Sequence, residues 1–294
     1  MERSFYLLDV FAEGVYSGNQ LAVFRNAASI GEEDRRRLAR EVHFSETAFI
    51  LSDTPRNGSY DIRVFNPAGE IPFSGHAVLG AAYVLQTELI REPLSTMMVD
   101  LGGGPVEVSF TYHYNDVDEV WVNHMKPSFG AVLDKEMIAS VLGITASDVV
   151  EECPVQEVST GLPCIMVPLR SLDAVHRACV VPEKYARLME QHEAQLLYMF
   201  ARETYDPDND FNVRMFADYY GIAEDPATGA GAGCLAAYTL QHLRPDSPSL
   251  NLRIEQGYEI RRPSILFARA RHEGDHSRVS VGGRVGLVAR GNFV

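Results

Sequence analysis

Apolar positions along the chain follow two rhythms. Residues 47–51, 60–65, 97–101 and 106–110 are short runs rich in β-branched and aromatic side chains, bounded by turn formers, which predicts strands. Glu32–Val42 places Leu38 and Val42 four apart, and after Gly75 the residues Val78, Leu79, Ala82, Tyr83 and Leu85 recur at helical spacing. The second half repeats this with predicted helices at 135–142 and 231–243. A helix that is small and apolar all round has no face for water and belongs inside something. The expected architecture is therefore α+β: two pseudo-symmetric domains, each a curved, barrel-like sheet around one central helix.

The chain also repeats itself. A run from Arg63 reads RVFNPAGEIPFSGHAVLGAAYVL, and a run from Arg214 reads RMFADYYGIAEDPATGAGAGCLAAYTL. Both begin R-x-F, continue with E-x-P-x-[S/T]-G and end with A-A-Y-x-L. Farther on, each half has a glycine pair between alternating apolar residues, VDLGGGPVEV from Val99 and VSVGGRVGLV from Val279; both predict a tight antiparallel hairpin. The polar-proline break at 125–128 sets the expected domains at 1–126 and 127–294. Residues 63–85 and 214–240 are expected to be related by an approximate twofold, with both glycine turns facing one cleft.

At 294 residues the chain has room for two domains, and 46% apolar with 22% charged residues is globular composition. A net charge of −14 repels phosphate backbones and anionic lipid, so neither nucleic acid nor a membrane surface is an expected partner. No stretch approaches the roughly 18 uninterrupted apolar residues of a spanning helix, and the acidic start lacks a secretory pattern; a cytoplasmic protein is expected. Cys153, Cys164, Cys179 and Cys234 form no C-x-x-C pair and read as reduced, buried thiols rather than metal ligands or disulfides.

Candidate chemistry gathers at the two glycine turns. In each, a strand ends, proline and glycine tighten the chain and a helix begins, so backbone N–H groups and the positive helix end are available to a carboxylate. The plainer alternative is two close-packed helix starts. His76 follows Gly75 at the first turn, where it can donate to a ligand or cap the helix, and Asp225 precedes Pro226 at the second. Glu46 is a lone acid entering the apolar strand S-E-T-A-F-I, either a strand-end acid or a proton carrier. Other motifs fail: Asp100-Leu-Gly-Gly-Gly-Pro precedes a strand rather than the helix a phosphate loop needs, and His272 and His276 lie in a polar hairpin stretch. Ser45 and Ser74 lack a nucleophile elbow, and Arg35-Arg36-Arg37 reads as a solvated helix face.

These residues point to a family. SETAF at 45–49, FNPAGEIPFSGH at 65–76, EDPATG at 224–229 and GNQLAVF at 18–24 resemble signatures of the phenazine-biosynthesis PhzF-like family. The resemblance implies the diaminopimelate-epimerase-like fold, an active site between two similar domains, and a homodimer. It further implies a cofactor-independent isomerase acting on a small carboxylate such as trans-2,3-dihydro-3-hydroxyanthranilate, without metal. Glu46 then corresponds to the proton shuttle and Asp225 and His76 to its polar partners. Gly75 offers its N–H to the substrate carboxylate, with Ser74, Gly229 and Ala230 as further substrate-binding positions. Two positions depart from the family pattern: Ala230 stands where T-G-S is common, and Gln20 where proline is frequent. The alternatives are an epimerase or racemase of the same fold, or a non-catalytic small-acid binder. Related racemases use a cysteine in each turn, and Ser74 and Thr228 are too weakly acidic for that exchange.

Overall fold

The structure is a computed structural model and describes residues 3–72, 74–218, 222–274 and 276–293. Phe73 and residues 219–221 of the two repeated runs lie outside the described residues. The chain divides into two compact units, Met1–Asn123 with Gly282–Val294, and His124–Val281.

The first unit holds β1 (Arg3–Val10), β2 (Asn19–Phe24), β3 (Glu46–Ile50), β4 (Tyr60–Asn66), β5 (Gly69–Ile71), β6 (Thr96–Asp100), β7 (Pro105–His113), β8 (Asp116–Asn123) and β17 (Val285–Phe293). Their order is β17-β1-β2-β3-β4-β6-β7-β8, with β5 paired to the far end of β4; β2–β3 and β4–β6 are parallel and the other pairs antiparallel. Helix α1 (Glu32–Val42) opens with Glu32, Glu33 and Asp34, which suit the positive helix end, and buries Leu38 and Ala39 against Ala22, Phe24, Phe49 and Phe65. Of its arginine run only Arg37 is exposed: Arg35 is half-buried and donates to the Ala27 carbonyl at 3.1 Å, and Arg36 and Arg37 pair with Glu32 and Glu33 of the preceding turn. Helix α2 (Gly75–Val84) lies on the other side of the sheet, against β1, β2, β3 and β8, and every residue of it except Tyr83 is buried.

The second unit repeats the scheme with β9 (Ser128–Leu133), β10 (Val155–Ser159), β11 (Pro163–Pro168), β12 (Leu196–Ala201), β13 (Phe211–Phe216), β14 (Ser249–Gln256), β15 (Ser264–Glu273) and β16 (His276–Gly283). From β9 to β15 the strands pair in chain order, with β11–β12 and β13–β14 parallel. Outside the sheet, α3 (Lys135–Val141), α4 (Leu172–Arg177) and α5 (Pro182–Met189) cover Ile165, Val167, Leu197 and Met199. Inside, α6 (Gly229–Tyr238) faces the alternate residues: Gly231 meets Tyr198, and Tyr238 meets Phe200 edge-on at 5.4 Å. Both central helices end in a widened π-helical turn, Leu85–Ile90 and Thr239–Leu243, a shared feature that the pattern of apolar residues did not announce.

Most predicted elements form within a residue or two of expectation, and the turn after Asp100 is the expected hairpin, its carboxylate accepting from Gly102 and Gly104. His272 on β15 and His276 on β16 are exposed. Three expectations are corrected. The glycine pair at 282–283 makes no hairpin: Arg284 alone separates β16 from β17, too short a loop, and β17 pairs with β1 instead. Gly282 is required by contact, since a Cβ there would enter the Trp121 ring. In consequence the segment 127–294 is not one unit, because its last strand belongs with the first. Cys164 and Cys234 are buried as expected and Cys153 is half-buried, but Cys179, in the link between α4 and α5, is exposed.

A Cβ at Gly231 would fall within the buried Tyr198 ring. Alanine improves helix propensity by up to about 1 kcal/mol, whereas overpacking a fixed aromatic costs about 1–3 kcal/mol or more. Gly231→Ala should therefore lower the urea midpoint, while Gly14→Ala, with open space around the added methyl, should leave it nearly unchanged.

Candidate active site

Alternation along β3 decides where Glu46 points. Phe49 lies in the cluster beneath α1, so Glu46, odd against even, faces the opposite side, where α2 begins. Ser74 is the N-cap of α2, in extended conformation, and its Oγ accepts from the Ala77 N–H at 3.3 Å. The same hydroxyl donates to Glu46 Oε2 in a very short bond. His76 Nδ1 is 3.1 Å from that oxygen and 3.5 Å from Ser74 Oγ. The His76 and Glu46 side chains keep only 8% and 18% of their exposure. Burial pushes the Glu46 carboxyl up to about 7, against the opposing pull of the Ser74 hydrogen bond. An acid poised there can both take and return a proton at neutral pH.

The second turn is built from its own loop. Thr228 is the N-cap of α6, and its hydroxyl donates to Asp225 Oδ2 at 2.5 Å, with both residues buried. Gly229 opens the helix, and Ala230 is the one residue of α6 that is not fully buried. Gln256, at the end of β14, was not apparent from sequence. Fully buried, it donates to the Asp225 carbonyl at 2.8 Å and to Thr228 Oγ1 at 3.1 Å, and accepts from the Thr228 N–H at 3.1 Å. The available signal was an amide beside Gly257, whose φ of +81° and approach to the Pro226 carbonyl admit no side chain.

The structure explains the repeated skeleton. Its shared arginine and glutamate form an ion pair in both copies: Arg63 Nε is 3.5 Å from Glu70, and Arg214 grips Glu224 through two bonds of 2.9 and 2.8 Å. Arg214 also donates to the carbonyls of Val175, His176 and Ala178, so Glu224 is committed to structure. The shared [S/T]-G places a hydroxyl on a carboxylate at the start of each central helix. Ser74, Gly75, His76 and Glu46 are thus assembled in the first unit, and Asp225, Thr228, Gly229 and Ala230 in the second. Among the described residues no group of three His, Cys, Asp or Glu side chains has a metal-holding arrangement, and no helix is long and apolar enough to cross a membrane.

A helix enclosed by its own sheet, twice in one chain, defines the diaminopimelate-epimerase-like fold. Solved structures agree: a hydroxyproline epimerase from Agrobacterium vitis superposes with a TM-score of 0.66 at 9% identity, over 99% of this chain and 91% of that one. A phenazine biosynthesis protein of the PhzF family from Bacillus anthracis reaches 0.92 at 23% identity, over 100% and 99%. The profile of the phenazine biosynthesis-like (PhzC-PhzF) family matches residues 8–291, and the chain belongs to that family. A trans-2,3-dihydro-3-hydroxyanthranilate isomerase of Pseudomonas chlororaphis is 33% identical over 99% of both chains. A Clostridium acetobutylicum protein named as an uncharacterized isomerase is 31% identical over 98% of this chain and 97% of that one. The protein is an isomerase of this family.

The raised Glu46 carboxyl has a stability consequence. Between about 4.5 and about 7 the folded state holds a proton that the unfolded chain releases, so this contribution is complete below that window and lost as pH rises through it. The difference amounts to at most about 3 kcal/mol. Glu46→Gln should therefore be more stable than the parent in urea at pH 8, with the gap closing toward pH 5. A gap independent of pH would remove Glu46 as the titrating group.

Proposed function

We propose that the protein is a cofactor-independent isomerase that moves a proton within a small carboxylate substrate, with Glu46 as the group that takes and returns it. The observation that carries this reading is the buried Glu46 carboxyl near neutrality, held by Ser74 and His76 at the start of α2. Both contacts fall on Oε2, so Oε1 is the oxygen assigned to the substrate carbon. The first turn of α2 supplies the positive helix end, and the N–H of Gly75 is assigned to the substrate carboxylate. As Oε1 removes a proton from carbon, negative charge grows on the conjugated acid and is stabilised there; the protonated Glu46 then returns the proton to a second carbon. His76 and Ser74 orient the carboxyl throughout. Asp225 serves as a second polar partner, positioned by Thr228 and Gln256.

The relatives named trans-2,3-dihydro-3-hydroxyanthranilate isomerases make that compound, an acid with an activated C–H, the first substrate to test. A thiol-pair racemase is disfavoured by the hydroxyls of Ser74 and Thr228 at both helix starts. A non-catalytic binder is disfavoured because binding needs no buried acid poised near neutrality.

On that substrate, Glu46→Gln should lower turnover by roughly 10²-fold or more, with loss of solvent-deuterium incorporation and little change in ligand binding. Near-parental turnover would pass the role to Asp225. Ala230→Ser restores a hydroxyl at the open position of α6 and should raise kcat/KM by about fivefold, the equivalent of one neutral hydrogen bond of ~1 kcal/mol. An unchanged kcat/KM would mean that residue 230 does not set specificity.

A further inference from the structure

The parallel pair β11–β12 ends in an arrangement that the proposed reaction does not use. Its last registered residues are Pro168 and Phe200, and the Leu169 N–H continues the ladder to the Phe200 carbonyl at 2.8 Å. Arg170 and Arg202 lie two residues beyond these strand positions, and both border the same cavity. Elsewhere in this acidic chain arginines are commonly paired to carboxylates. Here neither arginine has an ion-pair partner among the described residues; the side chain of Arg170 donates only to the Ser147 carbonyl, at 3.0 Å.

The two arginines line a cavity of about 330 Å³ with an apolar floor that includes Val150, Phe200 and Leu243. Its remaining polar wall is Cys153, half-buried. Burial pushes the Cys153 thiol up; Arg202 pulls the other way, and Glu152 adds to the rise. The thiol thus stays neutral, and the formal charges on the lining are both positive. The volume is at the lower end of small-molecule sites.

We propose that this cavity is a binding site for a small amphipathic carboxylate, its acid group held by Arg170 and Arg202 and its apolar body resting on Val150 and Leu243. A carboxylate there gains charge-assisted hydrogen bonds from two arginines that have no ion-pair partner among the described residues, and an apolar body displaces water from the floor.

Cys153 is a built-in reporter. Benzoate is the probe, and labelling of individual cysteines by N-ethylmaleimide is followed by peptide mass spectrometry. Benzoate should slow labelling of Cys153 saturably, about tenfold at ten times its Kd, while leaving the exposed Cys179 unaffected. Benzyl alcohol, which lacks the charge, and inorganic phosphate, which lacks the apolar body, should give no protection at the same concentration. Protection should be lost in Arg170→Ala/Arg202→Ala and in Arg202→Ala alone, a substitution at an exposed side chain, with melting temperature confirming folding. Glu46→Gln should retain protection, which separates this site from the proposed catalytic one. No effect of benzoate on Cys153, equal protection by phosphate or benzyl alcohol, or protection surviving in folded Arg202→Ala would each overturn the proposal.

Discussion

A helix buried inside its own sheet cannot leave its first-turn N–H groups to water, and much of this site follows from that constraint. In α2 the Ser74 hydroxyl accepts from Ala77, which places its own proton outward, and the acceptor it finds is Glu46. In α6 the task is divided: Gln256 takes the Thr228 N–H, and the Thr228 hydroxyl is free to donate to Asp225. Capping a buried helix end thus brings a carboxylate to it in both units. The helix interior makes the matching demand for small residues. Gly80 admits Leu21 and Gly231 admits Tyr198, so the sheet can close onto the backbone.

Burying Glu46 against this helix end weakens the fold above the carboxyl's titration and holds an acid near neutrality, the property the proposed proton transfer requires. The same desolvation that raises the carboxyl to about 7 disfavours its ionised form, so stability is lost where the carboxyl ionises. Ser74 moderates the shift from the other side, by hydrogen bonding to the charged form. The resting balance is therefore set by one hydroxyl and by the depth of β3 beneath the helix.

What was legible in the sequence was whatever depends on local period or repeated spacing. The apolar helices, the strands around them and Glu46 as an acid in an apolar strand follow from side-chain alternation, and the repeated E-x-P-x-[S/T]-G located both helix starts. Gln256 was hidden because its role arises from the parallel pairing of β13 with β14, which joins segments far apart in sequence. The glycine pair at 282–283 misled for a different reason: glycine marks both tight turns and close approaches, and only the Trp121 ring distinguishes them. Arg170 and Arg202 were invisible for the first reason again, since only the pairing of β11 with β12 brings the ends of both strands to one cavity.

The two copies of the plan differ in how each carboxylate is delivered. Asp225 lies three residues before its hydroxyl partner, inside the turn, so the acid and the helix start form one local unit that Gln256 fixes as a whole. Glu46 reaches Ser74 from a strand 28 residues earlier, and its position is governed by β2 and β4 on either side of β3. An acid held by its own turn keeps its hydroxyl contact wherever that turn goes. An acid held by the sheet keeps its position while the helix start supplies the hydrogen bonds, so the two parts can be tuned separately by substitution. Substitution acts most separably at such a junction, because a change in β3 alters the acid without undoing the cap, and a change at residue 74 alters the hydrogen bonding without moving the acid.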